Sequence, residues 1–224
     1  MNHPLVGTTV VTICFVSGNA QKIREVDFIV ELINERLNML NSTVKLDLFN
    51  FNSSVDEPYD TMEQNLKCKV LNAQNLITSN VINADLIIVE DTGLEIKDFN
   101  LFAPANVADF TKLKGGFKNA CDAIFEVVPF GTKAIFSTIA AGIDGTTLVV
   151  STAKGEIEGE LVQYCTEKVD SYDCILKVQY TFDSIFADYA ILSQLSTNIK
   201  SKIGHRGKAV TEIITNYLSS QNLT

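Results

Sequence analysis

Ala84-Asp85-Leu86-Ile87-Ile88-Val89, followed by Glu90-Asp91-Thr92-Gly93, is a short apolar run that ends in two adjacent carboxylates and a hydroxyl. A run of this length suits an interior strand of a sheet covered on both faces. The reading places Glu90-Asp91-Thr92 at the C-terminal end of that strand, the edge at which open α/β sheets bind ligands. Upstream, Thr61 to Thr78 has helical periodicity, and Val44 to Phe51 alternates apolar and polar residues as a half-buried strand does. Further back, Thr9 to Val16 (TVVTICFV) is a β-branched and aromatic run that enters a tight turn at Ser17-Gly18-Asn19. From Ala20 the apolar positions Ile23, Val26, Ile29 or Val30, Ile33, Leu37 and Leu40 recur at helical spacing. Strand, helix, strand, helix, strand is the opening order of an α/β sheet.

Downstream of the carboxylates the chain is richer in strand signals. Cys121 to Val128, Lys133 to Ala141, Leu148 to Ser151 and Gly155 to Gly159 read as antiparallel strands joined by turns. A last helix over Gly207 to Leu218 puts Ala209, Val210, Ile213, Ile214, Tyr217 and Leu218 on one face. The 224 residues fit a single domain spanning positions 1–224, and 46% hydrophobic content is enough apolar surface to offset the entropy of ordering the backbone.

A formal charge of −9 argues against general nucleic-acid binding, which uses clustered Lys and Arg to displace counterions. An anionic ligand then needs local help from a metal ion or a few placed lysines. Cys14, Cys68, Cys121, Cys165 and Cys174 form an odd set without a C-x-x-C pair, which reads as reduced thiols. Met1 to Thr9 carries no charged leader region and no apolar run has the length to span a bilayer, so the expectation is a cytoplasmic protein without membrane partners.

Three segments could carry chemistry, and each has a plain alternative. Ser17-Gly18-Asn19-Ala20-Gln21-Lys22 lies where a strand turns into a helix, so backbone N–H groups and Lys22 could hold phosphate; the alternative is a turn capped by Asn19. Glu90-Asp91 offers the carboxylates Mg²⁺ takes from a protein, or it is a solvated turn. Lys200 to Lys208 (KSKIGHRGK) is a basic patch in an acidic chain, which suggests an anionic partner, or it is a solvated loop.

In this order and at these separations the segments resemble the inosine triphosphate pyrophosphatase family, also called Ham1-like. The family's T-G-N-x-x-K resembles Ser17 to Lys22, its D/E-D-T/S-x-L resembles Glu90 to Leu94, and its K-x-x-x-S-H-R-x-x-A resembles Lys200 to Ala209. A fourth pattern, F-G-W/Y-D-P-x-F, resembles Tyr180-Thr181-Phe182-Asp183-Ser184-Ile185-Phe186. The resemblance implies a mixed central sheet flanked by helices, in two lobes with a nucleotide cleft between them, and a homodimer. It implies Mg²⁺, with Mn²⁺ as a substitute, and hydrolysis of ITP, dITP or XTP to the monophosphate and pyrophosphate.

Carried over position by position, Ser17, Gly18, Asn19, Ala20, Gln21 and Lys22 hold the triphosphate, and Lys69 adds charge. Glu57 and Asp91 are the metal carboxylates. Asp91, with Lys22, serves catalysis by activating or orienting water. Thr92, Tyr180, Thr181, Phe182, Asp183, Lys200, His205 and Arg206 surround the substrate, with Phe182 able to stack on a purine. Pro104-Ala105 stands for the family's P-G, Asp109 for a basic residue with Lys112 or Lys114 as substitutes, Gln64 and Gln194 for Glu, and Gly204 for Ser; Glu63 lies beside Gln64. These departures leave open a catalytically silent or altered-specificity nucleotide binder. A Maf-like pyrophosphatase lacks support because the Ser-Pro-Arg-Arg type of opening is absent, and a protein-contact domain explains none of the four motifs.

Overall fold

A computed structural model of the chain describes residues 7–53, 55, 60–99, 107–163, 171–180 and 188–223. Among them a seven-stranded mixed sheet runs in the order β2-β1-β3-β4-β5-β6-β7. The strands are β1 (Thr9–Val16), β2 (Val44–Phe51), β3 (Leu86–Ile96), β4 (Lys133–Asp144), β5 (Val150–Leu161), β6 (Leu176–Tyr180) and β7 (Asp188–Ile191). The helices are α1 (Ala20–Met39), α2 (Met62–Thr78), α3 (Val107–Leu113), α4 (Phe117–Phe125), α5 (Thr197–Ile203) and α6 (His205–Ser220). β1 pairs in parallel with β2 and β3, and every later pairing is antiparallel. The α/β architecture expected from the sequence is the one observed.

Three apolar clusters divide the molecule. Ile13 and Phe15 of β1 and Ile88 of β3 pack under Val26, Ile29 and Val30 of α1 and Val210, Ile213 and Ile214 of α6. On the opposite face Cys14, Ile87, Ile139 and Ile143 pack under Met62, Leu66 and Ala73 of α2. The third cluster joins Leu94, Ile96 and Phe136 to Ile157, Leu161 and Leu176, covered by Ala120, Cys121 and Ile124 of α4. β3 and β4 therefore run through both lobes: their Leu86–Val89 and Ile139–Ile143 ends belong to the first two clusters, and Leu94, Ile96, Ala134 and Phe136 belong to the third. Glu90, Asp91, Thr92 and Thr138 lie at the waist between these cores.

Three sequence expectations are corrected; the separate strands expected over Leu148 to Ser151 and Gly155 to Gly159 are one continuous strand, β5 (Val150–Leu161). The strand expected over Cys121 to Val128 is helix α4, because Ala120, Cys121 and Ile124 share one buried helical face; the Phe125-Glu126-Val127-Val128 tail imitates a strand, as short apolar runs do. The strand carrying Glu90-Asp91-Thr92 does not end at Val89 but continues to Ile96. Pairing with β1 ends at Phe15–Ile88, whereas pairing with β4 continues to Ile96–Ala134. The acidic pair thus faces an opening left by its neighbour's departure, not by its own.

Candidate active site

The opening holds a cleft of about 560 Å³, within the size range of small-molecule sites. One wall is the turn Ser17-Gly18-Asn19 with Ala20, Gln21 and Lys22 of α1; the floor is Asp91 and Thr92; the far wall is Phe117, Phe136, Ser171, Tyr172, Asp173, His205 and Arg206. Lys69 of α2 lines it as well, as do Ser53 and Val55.

The turn takes its shape from Asn19, whose side chain accepts from the Gln21 and Lys22 amides at 2.9 and 3.3 Å. Capping and cleft lining coexist there, so the two sequence readings of this turn are not exclusive. A Cβ on Gly18 would meet Asn52 Oδ1 at 2.8 Å, the end of an exposed side chain that can swing aside. One helical turn on, Lys22 Nζ sits 2.5 Å from Glu90 Oε1. Lys69 Nζ donates to the Glu90 carbonyl at 3.0 Å and to Asp91 Oδ1 at 2.7 Å. Asp91 itself is only 2% exposed.

The basic segment proves to be two helices, not a loop. α5 closes with Gly204 N donating to the Lys200 carbonyl at 2.8 Å, and α6 starts at His205. Lys200 Nζ lies 2.5 Å from Asp173 Oδ2 and 3.4 Å from Glu25 Oε1. The Arg206 guanidinium pairs with Glu25, donates to Thr92 Oγ1 at 3.2 Å and lies 3.6 Å from Glu90 Oε2. Burial works against ionisation of Glu90, but Lys22, Arg206 and Lys69 outweigh it and hold the carboxyl below its usual range. Glu25 behaves alike: burial opposes its charge, and Arg206 and Lys200 prevail.

His205 sits 5.3 Å from the Phe136 ring, and its Nδ1 lies 2.9 Å from Thr138 Oγ1. Burial, then the Arg206 charge, drive its pKa well below the ordinary 6.5, so the ring is neutral at physiological pH. A ring whose native pKa lies below its unfolded one leaves the unfolded chain binding the extra proton. Stability is then full above about 6.5 and falls as the pH drops below that value. Urea midpoints should decline from pH 7.5 to 5.5, and His205→Gln should flatten the decline; an equal slope in the variant would show another group responsible.

α6 reaches the cleft because β5 gives it room. A Cβ on Gly155 would lie 1.9 Å from the His205 carbonyl oxygen and 2.9 Å from the Ala209 amide. Gly155→Ala should push the start of α6 outward and cost about 1–3 kcal/mol, as overpacking does. Urea denaturation measures it, and a variant as stable as the parent would mean that α6 docks less tightly than described.

Of the sequence-proposed site residues, Ser17, Gly18, Asn19, Ala20, Gln21, Lys22, Lys69, Asp91, Thr92, His205 and Arg206 line the cleft, and Lys200 stands behind them on Asp173. Glu57, Thr181, Phe182 and Asp183 lie outside the described residues. Tyr180 packs against the third apolar cluster and is not among the cleft-lining residues. Ser171, Tyr172 and Asp173 line the cleft without having been singled out from the sequence. Asp173 Oδ2 also accepts from Gln21 at 3.4 Å, and burial pushes the Tyr172 hydroxyl up to about 12. Glu25 was missed too, although its position three residues after Lys22 puts both on one helical side.

Of the departures described from the sequence, Gln64 and Asp109 are not among the cleft-lining residues, Gly204 is the N-cap of α6 beside the cleft-lining His205, and Pro104-Ala105 lie outside the described residues. Thr61 caps α2 by accepting from the Gln64 amide at 3.3 Å and donates to Gln64 Oε1 at 3.0 Å, and Asp109 pairs with Lys112 on the surface. Among the described residues no group of three or more His, Cys, Asp or Glu side chains could hold a metal. The oxygen donor at hand is Asp91, which suits Mg²⁺, an ion that takes one or two carboxylates and completes its shell with water and phosphate. Among the described residues no helix is long and apolar enough to cross a membrane.

No curated protein sequence matches the chain significantly. Solved structures share the fold: the Ham1 protein of Staphylococcus aureus (19% identity, TM-score 0.56, covering 94% of this chain and 99% of that one); a HAM1 protein from Coxiella burnetii (18%, 0.61, 94% and 99%); and a nucleoside-triphosphatase, dITP/XTP pyrophosphatase, from Mycobacterium abscessus (16%, 0.56, 90% and 97%). A sequence profile of the Ham1 family matches residues 13–216, a span that holds the described elements from the turn after β1 to the start of α6, and the chain belongs to that family.

Proposed function

We propose that the chain is a Mg²⁺-dependent pyrophosphohydrolase of nucleoside triphosphates, with ITP, dITP and XTP as substrates. The observation that carries the reading is Asp91, a buried carboxylate on the floor of a cleft with Lys22, Lys69 and a helix start on one side and an aromatic wall on the other. Lys22, beside the turn, suits a triphosphate, whose oxygens accept from ammonium groups. Phe117, Phe136 and Tyr172 suit the flat apolar face of a base.

Mg²⁺ held by Asp91, with Glu57 as second carboxylate, would neutralise phosphate charge. Asp91 orients a water and draws off its proton as the water oxygen bonds to the α-phosphorus. The bond from that phosphorus to the bridging oxygen breaks, and pyrophosphate leaves with the bridging oxygen. Lys69, on Asp91 Oδ1, fixes the orientation of the carboxylate. A cleft that donates to a six-position oxygen disfavours adenine, whose amino group leaves that donor unpaired. Within the same reading the protein is a homodimer, which sedimentation tests.

The deciding experiment is pyrophosphate release with Mg²⁺ from inosine, xanthosine, adenosine, guanosine and uridine triphosphates in parallel. Release confined to the first two is expected. No release from any, with nucleotide still bound, would make the protein a silent binder.

A further inference from the structure

Thr138 is fully buried on β4 and does not line the cleft, yet its hydroxyl joins two residues that do. Its Oγ1 lies 2.9 Å from Thr92 Oγ1 and 2.9 Å from His205 Nδ1. Thr92, Thr138 and Gly155 stand directly opposite one another across β3, β4 and β5. The first residue of α6 lies over the missing side chain of that row.

The direction of the hydrogen bonds follows from the far end of the chain. Glu90 lies between the Lys22 ammonium at 2.5 Å and the Arg206 guanidinium at 3.6 Å. A carboxylate held by two cations accepts hydrogen bonds and donates none. Thr92 therefore gives its only hydroxyl proton to Glu90 Oε2, at 2.6 Å. Its oxygen then accepts from Arg206 and from Thr138. Thr138, having spent its proton on Thr92, can only accept from His205, so the imidazole carries its hydrogen on Nδ1.

We propose that Thr138 is a positioning residue that holds His205 in the Nδ1–H tautomer, so that Nε2 presents a lone pair to a bound ligand. A 6-oxopurine carries a hydrogen on N1 and can donate to that lone pair, whereas adenine's N1 is itself an acceptor. The contact sorts oxo from amino purines; guanine shares the N1 hydrogen and is not separated by it. The ligand half of the inference rests on the nucleotide reading above, and the tautomer half does not.

The chain has only two histidines, so nitrogen NMR of the full-length, nucleotide-free protein labelled with ¹⁵N-histidine at neutral pH reads the ring directly, with His3→Gln to assign it. The expected spectrum is the Nδ1–H tautomer in the parent and in Thr138→Ser, and a shift toward Nε2–H in Thr138→Val. In steady state with ITP, Thr138→Val should raise KM about tenfold, the worth of one good hydrogen bond, with kcat nearly unchanged. Thr138→Ser should restore it. An Nε2–H or doubly protonated ring in the parent overturns the proposal, as does an unchanged ring in folded Thr138→Val. If Thr138→Val does not fold, the parent spectrum still decides, and Thr92→Val cuts the same relay one link further on. An Nδ1–H ring in a protein that binds no nucleotide upholds the relay and removes the proposed activity.

Discussion

Asp91→Asn should lower pyrophosphate release by about a thousandfold or more, the range expected when a positioned base and metal carboxylate is lost. The substitution keeps the volume of a side chain that is 2% exposed. It also leaves Lys69 its bond to the Glu90 carbonyl at 3.0 Å, so the lysine is not stranded. The midpoint of thermal unfolding should therefore move little, and nucleotide should still bind through the turn at Ser17 and through Lys22. Parallel kcat, unfolding and binding measurements separate chemistry from folding. Turnover within a few-fold of the parent would remove Asp91 from the mechanism.

Arg206→Met is the substitution expected to cost most stability. Arg206 is 6% exposed and serves Glu25, Glu90 and Thr92 together. Methionine leaves two buried carboxylates short of a partner, and breaking a buried ion pair from one side costs about 3–5 kcal/mol. Urea denaturation should show that loss, and nucleotide affinity should fall with it because α6 and Thr92 lose their tie. Removing one orphaned charge as well, with Glu25→Gln, should return part of the stability, since the penalty lies in the charge left unpaired. A loss below about 1 kcal/mol, the worth of an exposed pair, would mean that the network is solvated.

The first half of the fold was legible because each element there has one unambiguous period. Thr9–Val16 and Val44–Phe51 were read to the residue, and α1 begins at Ala20, where Asn19 caps it. The failures have physical causes. α4 imitates a strand in sequence because its tail is apolar, while the helical face of Ala120, Cys121 and Ile124 becomes visible only against the sheet. The end of β3 depends on where β1 turns away, which is a property of its neighbour. At the site, side chains brought by motif were legible, among them Lys22, Asp91 and Arg206. Tyr172 and Asp173 line the cleft but belong to none of the motif matches stated from the sequence. Thr138 gave no signal, because a threonine in an apolar strand acquires its role only when β3 and α6 close around it.

The pairing of the buried cations described at the waist bears on how a substrate arrives. Lys22, Lys69, Lys200 and Arg206 are matched by Glu90, Asp91, Asp173 and Glu25, while Arg24, exposed and lining the cleft, adds a positive charge in a chain of net charge −9. Such a surface has no long-range pull on a polyanion and slightly repels it. Under the proposed function, a nucleotide is expected to arrive with its charge masked, as its metal complex rather than as the bare triphosphate. Its association rate should then change little with ionic strength, in contrast to enzymes that draw anions in from a distance.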